Sequence, residues 1–371
     1  MTHIPLITTT GRTNDNPGDT FIGVGLQYLF EQILGPQVWV LIDRFSPKGF
    51  RDFEDVIRNA PFLVYGGMPQ YNNYDDWKHW YDDAMWRDFI IRWGLKVFTM
   101  AGGAGFSHPD ISIDAYVAHC RKSKKTERII RQRVEPSLCF TVRDAYAHAL
   151  LNALEIPNRY LPCAAAWASR MWNIAPAEQR PYLILVPPSP RHTPKRSGHR
   201  RISRRSRLQQ FADSWKNFYV ILQENGYDVR VLCHAYREYN ALRDTIPSEA
   251  LWFHGDPYTL LRQYASAHTV VSARLHGSLP AYGIEGTRVL NLSVDVRGSA
   301  VEVFPKISNL RISGATPDAL LSVIDQLKPS TTEDFRAPEK AYGKLIQSSL
   351  PSAIKEKKGQ AFKLPLFNYM V

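Results

Sequence analysis

Short apolar runs that end in a turn and give way to a helical pattern recur through the whole chain, and this alternation leaves few folds open. In the first half Pro5 to Thr9, Val38 to Ile42, Pro61 to Gly67, Lys96 to Gly105 and Ser137 to Asp144 read as buried strands with their turns. Tyr182 to Val186, Tyr227 to Leu232, Leu251 to Phe253, His268 to Ser272 and Arg288 to Leu292 do so in the second. Strands alternating with helices build parallel sheets, because a parallel connection needs a crossover. The predicted class is α/β with two Rossmann-like domains, whose ligands meet loops at the carboxyl ends of the strands.

A chain of 371 residues exceeds one ordinary core. The expected division is an N-terminal domain over 1–170, a linker at 171–181, a C-terminal domain over 182–330 and a polar, proline-bearing tail over 331–371. Cys163 to Pro181 as a whole, with its alanines and Pro176, reads as linker-like. No run approaches a membrane span and no leader pattern opens the chain, so a cytoplasmic protein is expected.

The net charge is +11, but eight of those cations crowd between Arg191 and Arg207 without an acid, leaving only +3 elsewhere. Such a distribution does not call for nucleic acid. It fits a solvated surface loop, or a peripheral contact of 191–207 with anionic lipid head groups or a polyanionic glycan at the inner face of the membrane. Four scattered cysteines make no Cys-x-x-Cys pair, and neither His-x-x-x-His nor Asp-x-Asp occurs, so no metal site is implied.

Three turns carry chemistry. Arg274 and His276, between the His268 strand and a helix entered through Gly277, Ser278 and Pro280, join a permanent cation to a group that titrates near neutral pH. Gly11 to Asp19 reads as a glycine-containing loop before a helix starting near Thr20, with Asp19 or Thr20 as cap and Asn16 nearby. Arg143 and Asp144 form either a mutual salt bridge at a helix start or an anion site. The Gly66-Gly67 and Gly102-Gly103 turns lack the Gly-x-Gly-x-x-Gly spacing of a dinucleotide site. Tyr71 to Trp93 is aromatic and acidic, suited to stacking on a sugar or to filling its own core.

Taken in order, Asn16-Pro-Gly-Asp19, Gly66-Gly67, Met100-Ala-Gly-Gly-Ala-Gly105, Phe140-Thr-Val-Arg-Asp144 and Val271-Ser-Ala-Arg-Leu-His-Gly277 resemble the polysaccharide pyruvyl transferase family, from about Asn14 to Arg297. Arg-Leu-His-Gly at a strand end is the most specific of these motifs. The resemblance implies two domains facing across a cleft, as in GT-B glycosyltransferases. It implies phosphoenolpyruvate as co-substrate with no cofactor, and a sugar or lipid-linked glycan as acceptor. The enolpyruvyl carbons pass to two sugar hydroxyls as a ketal and phosphate is released.

The residue chemistry agrees. A small trianion needs arginine forks, and protonation of its C3 needs an acid. On this chain His276 is the expected acid, with Arg274, Arg143 and Arg191 as donor clamps and Leu275 and Gly277 completing the motif. Asp19 is expected to deprotonate or orient the acceptor hydroxyl, with Asn16, Gly18, Gly66 and Gly67 beside it. The chain departs from the family at Cys163-Ala-Ala165, where Asp-Pro-Ala is common, and at Asp295-Val-Arg297, where a lysine is frequent. Two other readings are a glycosyltransferase using a nucleotide sugar and a non-catalytic binder of polyanions or membrane surfaces. The scheme requires the Asn16–Asp19 and Arg274–His276 segments to face each other.

Overall fold

A computed structural model describes residues 3–8, 17–44, 47–67, 69–76, 85–105, 110–190 and 204–355. Its strands form two parallel sheets, of seven and six strands. The first holds β1 (His3–Thr8), β2 (Val38–Asp43), β3 (Leu63–Gly66), β4 (Pro69–Tyr71), β5 (Val97–Ala104), β6 (Ser137–Val142) and β7 (Arg159–Tyr160). Their order is β2-β1-β3-β5-β6-β7, with β4 paired to β5. The second holds β8 (Tyr182–Val186), β9 (Asp228–Cys233), β10 (Leu251–Phe253), β11 (Ala267–Ser272), β12 (Arg288–Ser293) and β13 (Ser308–Arg311), ordered β10-β9-β8-β11-β12-β13. The direction of winding reverses between β1 and β3 and again between β8 and β11. Crevices for ligands therefore open beyond Thr8 and Gly66 in one domain and beyond Val186 and Ser272 in the other.

Several local expectations are corrected. The first helix spans Pro17–Leu34, so Asp19 lies inside its first turn rather than at its cap; proline suits that opening position because it has no N–H to leave unpaired. Gly102 and Gly103 continue β5 instead of forming a turn, with a register shift between Thr99 and Gly102 and Ala101 at φ 51°. Ile113–Arg121 and Lys124–Val134 are separate helices, each started by a serine hydroxyl, Ser112 or Ser123, that accepts a backbone N–H. Arg204 to Arg207 opens the helix Arg204–Glu224 rather than belonging to a loop. The rest of the basic run, 191–203, lies outside the described residues.

The crossing between domains is more ordered than linker and tail composition suggests. Ala164–Trp167 forms a 3-10 turn and Ala168–Met171 a short helix, and Cys163 to Ala168 are fully buried. The region read as tail supplies the helix Glu333–Lys355, which contains Pro338 and Pro351. Tyr342 Oη in that helix donates to Pro162 O at 2.6 Å, and Trp167 Nε1 donates to Glu339 Oε1 at 2.6 Å. One apolar cluster runs from Leu6 and Phe21 through Trp167 and Tyr342 to Leu279 and Tyr282, so the two halves share a core. Tyr71, Tyr74, Trp86 and Phe89 are buried, which is the core-filling outcome for that aromatic stretch; 77–84 lie outside the described residues. Among the described residues no helix is long and apolar enough to cross a membrane.

Candidate active site

β11 ends at Ser272, Arg274 stands extended at the cap position, and the helix Leu275–Tyr282 begins. His276, at φ −88° and ψ 17°, departs from helical geometry in the first turn and reaches the other domain. Its Nε2 is 3.3 Å from Arg143 Nη1 and 4.0 Å from Cys163 Sγ. Its other edge is covered by Gly18, where a Cβ would stand 2.4 Å from Nδ1. The first turn of the Pro17 helix thus meets the first turn of the Leu275 helix. Both bring the positive ends of their helix dipoles to one place.

A guanidinium can only donate, so Nε2 of His276 accepts from Arg143 and its proton sits on Nδ1. Burial, then the charges of Arg143 and Arg297, hold the imidazole well below its ordinary range. The ring is neutral in this arrangement. Arg297 has its own pKa raised, first by Asp295 and further by Asp19 and Asp144, which sets Asp19 in the same electrostatic neighbourhood. Arg297 Nε lies 2.9 and 3.0 Å from the two Asp295 oxygens.

Arg143, at the end of β6, is 1% exposed. Its Nη1 also donates to Gly67 O at 3.2 Å and approaches Cys163 Sγ at 3.7 Å, while its Nε has no partner among the described residues. Asp144 does not take the Arg143 charge through a hydrogen bond. Both its oxygens accept backbone N–H groups, from Ala147 at 2.8 Å and from Ala104 at 2.8 Å, so it caps the helix Ala145–Ala153 and fastens β5. Burial pushes the Asp144 carboxyl up.

Arg274 points elsewhere. Its Nη2 pairs with Glu238 Oε1 and its Nε donates to Pro187 O at 3.2 Å. Glu238 is fully buried, and its other oxygen accepts from the backbone of His234 at 2.9 Å and Ala235 at 3.2 Å. Arg274 therefore ties together the chain beyond β8, β9 and β11. Leu275 packs on the shared core, Gly277 against Ser272, and Gly66 against Leu26. Asn16 and Arg191 lie outside the described residues.

The motif reading thus brings His276, Arg143, Gly18 and Gly67 into one cluster, and Asp19 into its field. Sequence reasoning noticed Cys163 and Arg297 only as departures, and it missed His234 and Glu238. Glu238 had a signal: an acid in the first turn after a strand beside the winding reversal.

The family model described as Polysaccharide pyruvyl transferase matches residues 16–285. The chain belongs to that family. Membership makes this pyruvyl transferase family chain a transferase. No curated protein matches it. Among solved structures, a Listeria monocytogenes protein assigned as a UDP-N-acetylglucosamine 2-epimerase superposes with a TM-score of 0.50 at 10% identity, covering 96% of this chain and 97% of that one. Escherichia coli heptosyltransferase WaaC gives 0.39 at 9% identity over 87% and 99%, and S. aureus MnaA gives 0.45 at 9% over 88% of each. At such identities the first likeness speaks for the two-domain, GT-B-like fold alone.

Proposed function

We propose that the chain transfers the enolpyruvyl group of phosphoenolpyruvate to hydroxyls of a glycan as a ketal, with His276 as the proton donor. The observation that carries this reading is the 3.3 Å contact between Arg143 and His276 across the two domains. It sets the strongest anion-binding side chain against a proton carrier at the mouth of two helix N-termini.

In this scheme the donor trianion draws the Arg143 fork off the histidine and onto its own oxygens, while Arg297, held by Asp295, contributes to the positive field around the ring. Three negative charges beside the ring offset the cations that keep it neutral, and His276 takes up a proton. Delivering that proton to C3 turns the methylene into a methyl group and leaves C2 electrophilic. One sugar hydroxyl adds to C2 as its proton passes to Asp19. The C2–O bond to phosphate then breaks with its electron pair, the leaving phosphate taking the proton held by Asp19, and a second hydroxyl closes the ketal as its proton returns to His276. Arg274, neutralised by Glu238, acts in this reading as a strut for the His276 turn rather than as a clamp.

No metal or cofactor enters the scheme. The basic run 191–207 keeps its proposed role as a contact for anionic head groups, through which a lipid-linked acceptor would be met.

Phosphate release from phosphoenolpyruvate, measured with and without candidate glycans, tests the reading. Acceptor-dependent release supports it. Release of a nucleoside diphosphate from a nucleotide sugar, without turnover of phosphoenolpyruvate, would replace it by glycosyl transfer.

A further inference from the structure

One short segment next to Arg143 holds polar side chains that the fold buries and leaves unanswered. Asn72 is 1% exposed and Gln70 is 2% exposed, yet the oxygen and nitrogen of both amides have no hydrogen-bond partner among the described residues. An orphaned buried amide group carries its full desolvation penalty, so two intact amides in three residues call for an explanation.

The register of β5 relates these amides to the site. Side chains two residues apart share a face of a strand and stand about 7 Å apart. On Gly103 a Cβ would meet Arg143 Nε at 2.6 Å, and on Gly105, two residues on, it would meet Asn72 Oδ1 at 2.3 Å. Gly102, on the opposite face, meets the ring of Tyr71 instead. Arg143 thus lies against the last residues of β5 at Gly103 and Asn72 against Gly105, just past its end, and the two glycines let both side chains approach the backbone. Arg143 Nε, itself orphaned, belongs to the same row.

The backbone carrying the amides is pinned from outside. Thr126 Oγ1 donates to Asn72 O at 3.2 Å and accepts from Tyr74 N at 2.9 Å. Asn73 Nδ2 donates to His119 O at 2.9 Å, and Gly105 N donates to Tyr71 O at 3.2 Å. Pre-set donors and acceptors on a fixed segment are what recognition of a ligand requires. Their chemistry selects the ligand class. Each amide offers a donor and an acceptor without charge, which matches hydroxyl groups and adds little to the hold on a trianion.

The geometry points to Asn72 and Gln70 as the subsite for the sugar acceptor, holding its hydroxyl groups beside Arg143. This rests on the transferase reading for the place of the acceptor, and it names residues which that reading does not use. Ketal formation needs two hydroxyls presented together, and paired amides are suited to orient them.

The test uses the full chain with Asn72→Leu and Gln70→Met, apolar replacements of similar shape. Two properties are read: the acceptor KM in phosphate release, and binding of a panel of methyl hexopyranosides followed by saturation-transfer NMR. Each variant should raise the acceptor KM or weaken glycoside binding by about tenfold or more, with the phosphoenolpyruvate KM unchanged. Because each substitution removes an unanswered buried amide, the melting temperature of the free protein should hold or rise. A fall in melting temperature with unchanged acceptor KM and glycoside binding would assign the amides to internal structure and overturn the proposal. If wild-type protein does not turn over phosphoenolpyruvate, the transferase reading fails. Glycoside binding that depends on the amides then still upholds the subsite, and binding that does not depend on them overturns it.

Discussion

Nη1 of Arg143 stands 3.3 Å from Nε2 of His276, so a side chain at the carboxyl end of the first sheet touches the first helical turn after the central strand of the second. The contact defines what each can do. Arg143→Lys keeps the charge but loses the planar fork, and with it the Nη2 and Nε donors that a carboxylate or phosphate would engage beside the Nη1 contacts to Gly67 O, Cys163 and His276. We expect kcat/KM for phosphoenolpyruvate to fall about 100-fold, or roughly 2.7 kcal/mol, with the fold retained by circular dichroism. Undiminished activity in the lysine variant would move the donor site away from Arg143.

The same contact makes a prediction about protons. Burial and the charges of Arg143 and Arg297 keep His276 neutral in the free protein, whereas the proposed reaction needs it charged. Donor binding near pH 7.5 should therefore take up a proton, seen as a dependence of calorimetric enthalpy on the ionisation enthalpy of the buffer. His276→Gln should abolish that uptake and lower kcat by about 100- to 10,000-fold. Proton uptake that persists in the variant would assign it to another group.

Gly18 has no room for a side chain. A Cβ would lie 2.4 Å from His276 Nδ1 and 2.8 Å from its Cβ, so Gly18→Ala must displace the ring or the start of the Pro17–Leu34 helix. Misplacing a reacting group by about 1 Å is enough for a 100-fold loss. We expect that loss in phosphate release with a melting temperature close to wild type, because the strain falls on the cleft rather than on the core. Equal losses of activity and stability would make Gly18 a packing residue only.

Much of this architecture could be read from residue order, and the failures have physical causes. Val271 to Gly277 announces a buried strand and a charged turn because its β-branched run and its glycine are local signals. Gly102 and Gly103 mislead because glycine marks close approach as well as turns, and here Tyr71 and Arg143 press on the strand. The Glu333–Lys355 helix was hidden by Pro338 and Pro351, whose penalty is outweighed by docking of Tyr342 and Glu339 on the shared core. The pairing of Arg274 with Glu238 joins residues far apart in the chain, so neither motif nor spacing could disclose it.

That pairing can be tested as a strut. Glu238 is buried, and a glutamine there has one acceptor oxygen to divide between Arg274 and the N–H groups of His234 and Ala235, so the Arg274 charge loses its counter-ion. Glu238→Gln should destabilise the protein by about 3–5 kcal/mol in urea unfolding, and Glu238→Gln combined with Arg274→Met should recover most of it, because the amide oxygen still accepts from His234 and Ala235 and no buried charge is then left uncompensated. A double variant as unstable as the single would show that the loss comes from packing.

His234 sets a pH limit on the fold. It is 1% exposed, its Nε2 lies 2.5 Å from Tyr264 Oη, and burial followed by the charge of Arg274 holds its pKa well below the ordinary imidazole value. The unfolded chain takes up a proton below about pH 6.5 that the folded chain refuses. The contribution of His234 is therefore complete above that pH and is lost as pH falls, by about 1.4 kcal/mol per pH unit. His276, depressed in the same direction, adds a second such slope. His234→Gln keeps an acceptor for Tyr264 but cannot titrate. Urea unfolding across about pH 5 to 6.5 should show its stability falling less steeply than wild type by that one-proton increment. An identical slope in the two proteins would mean that His234 already carries its proton in the folded state.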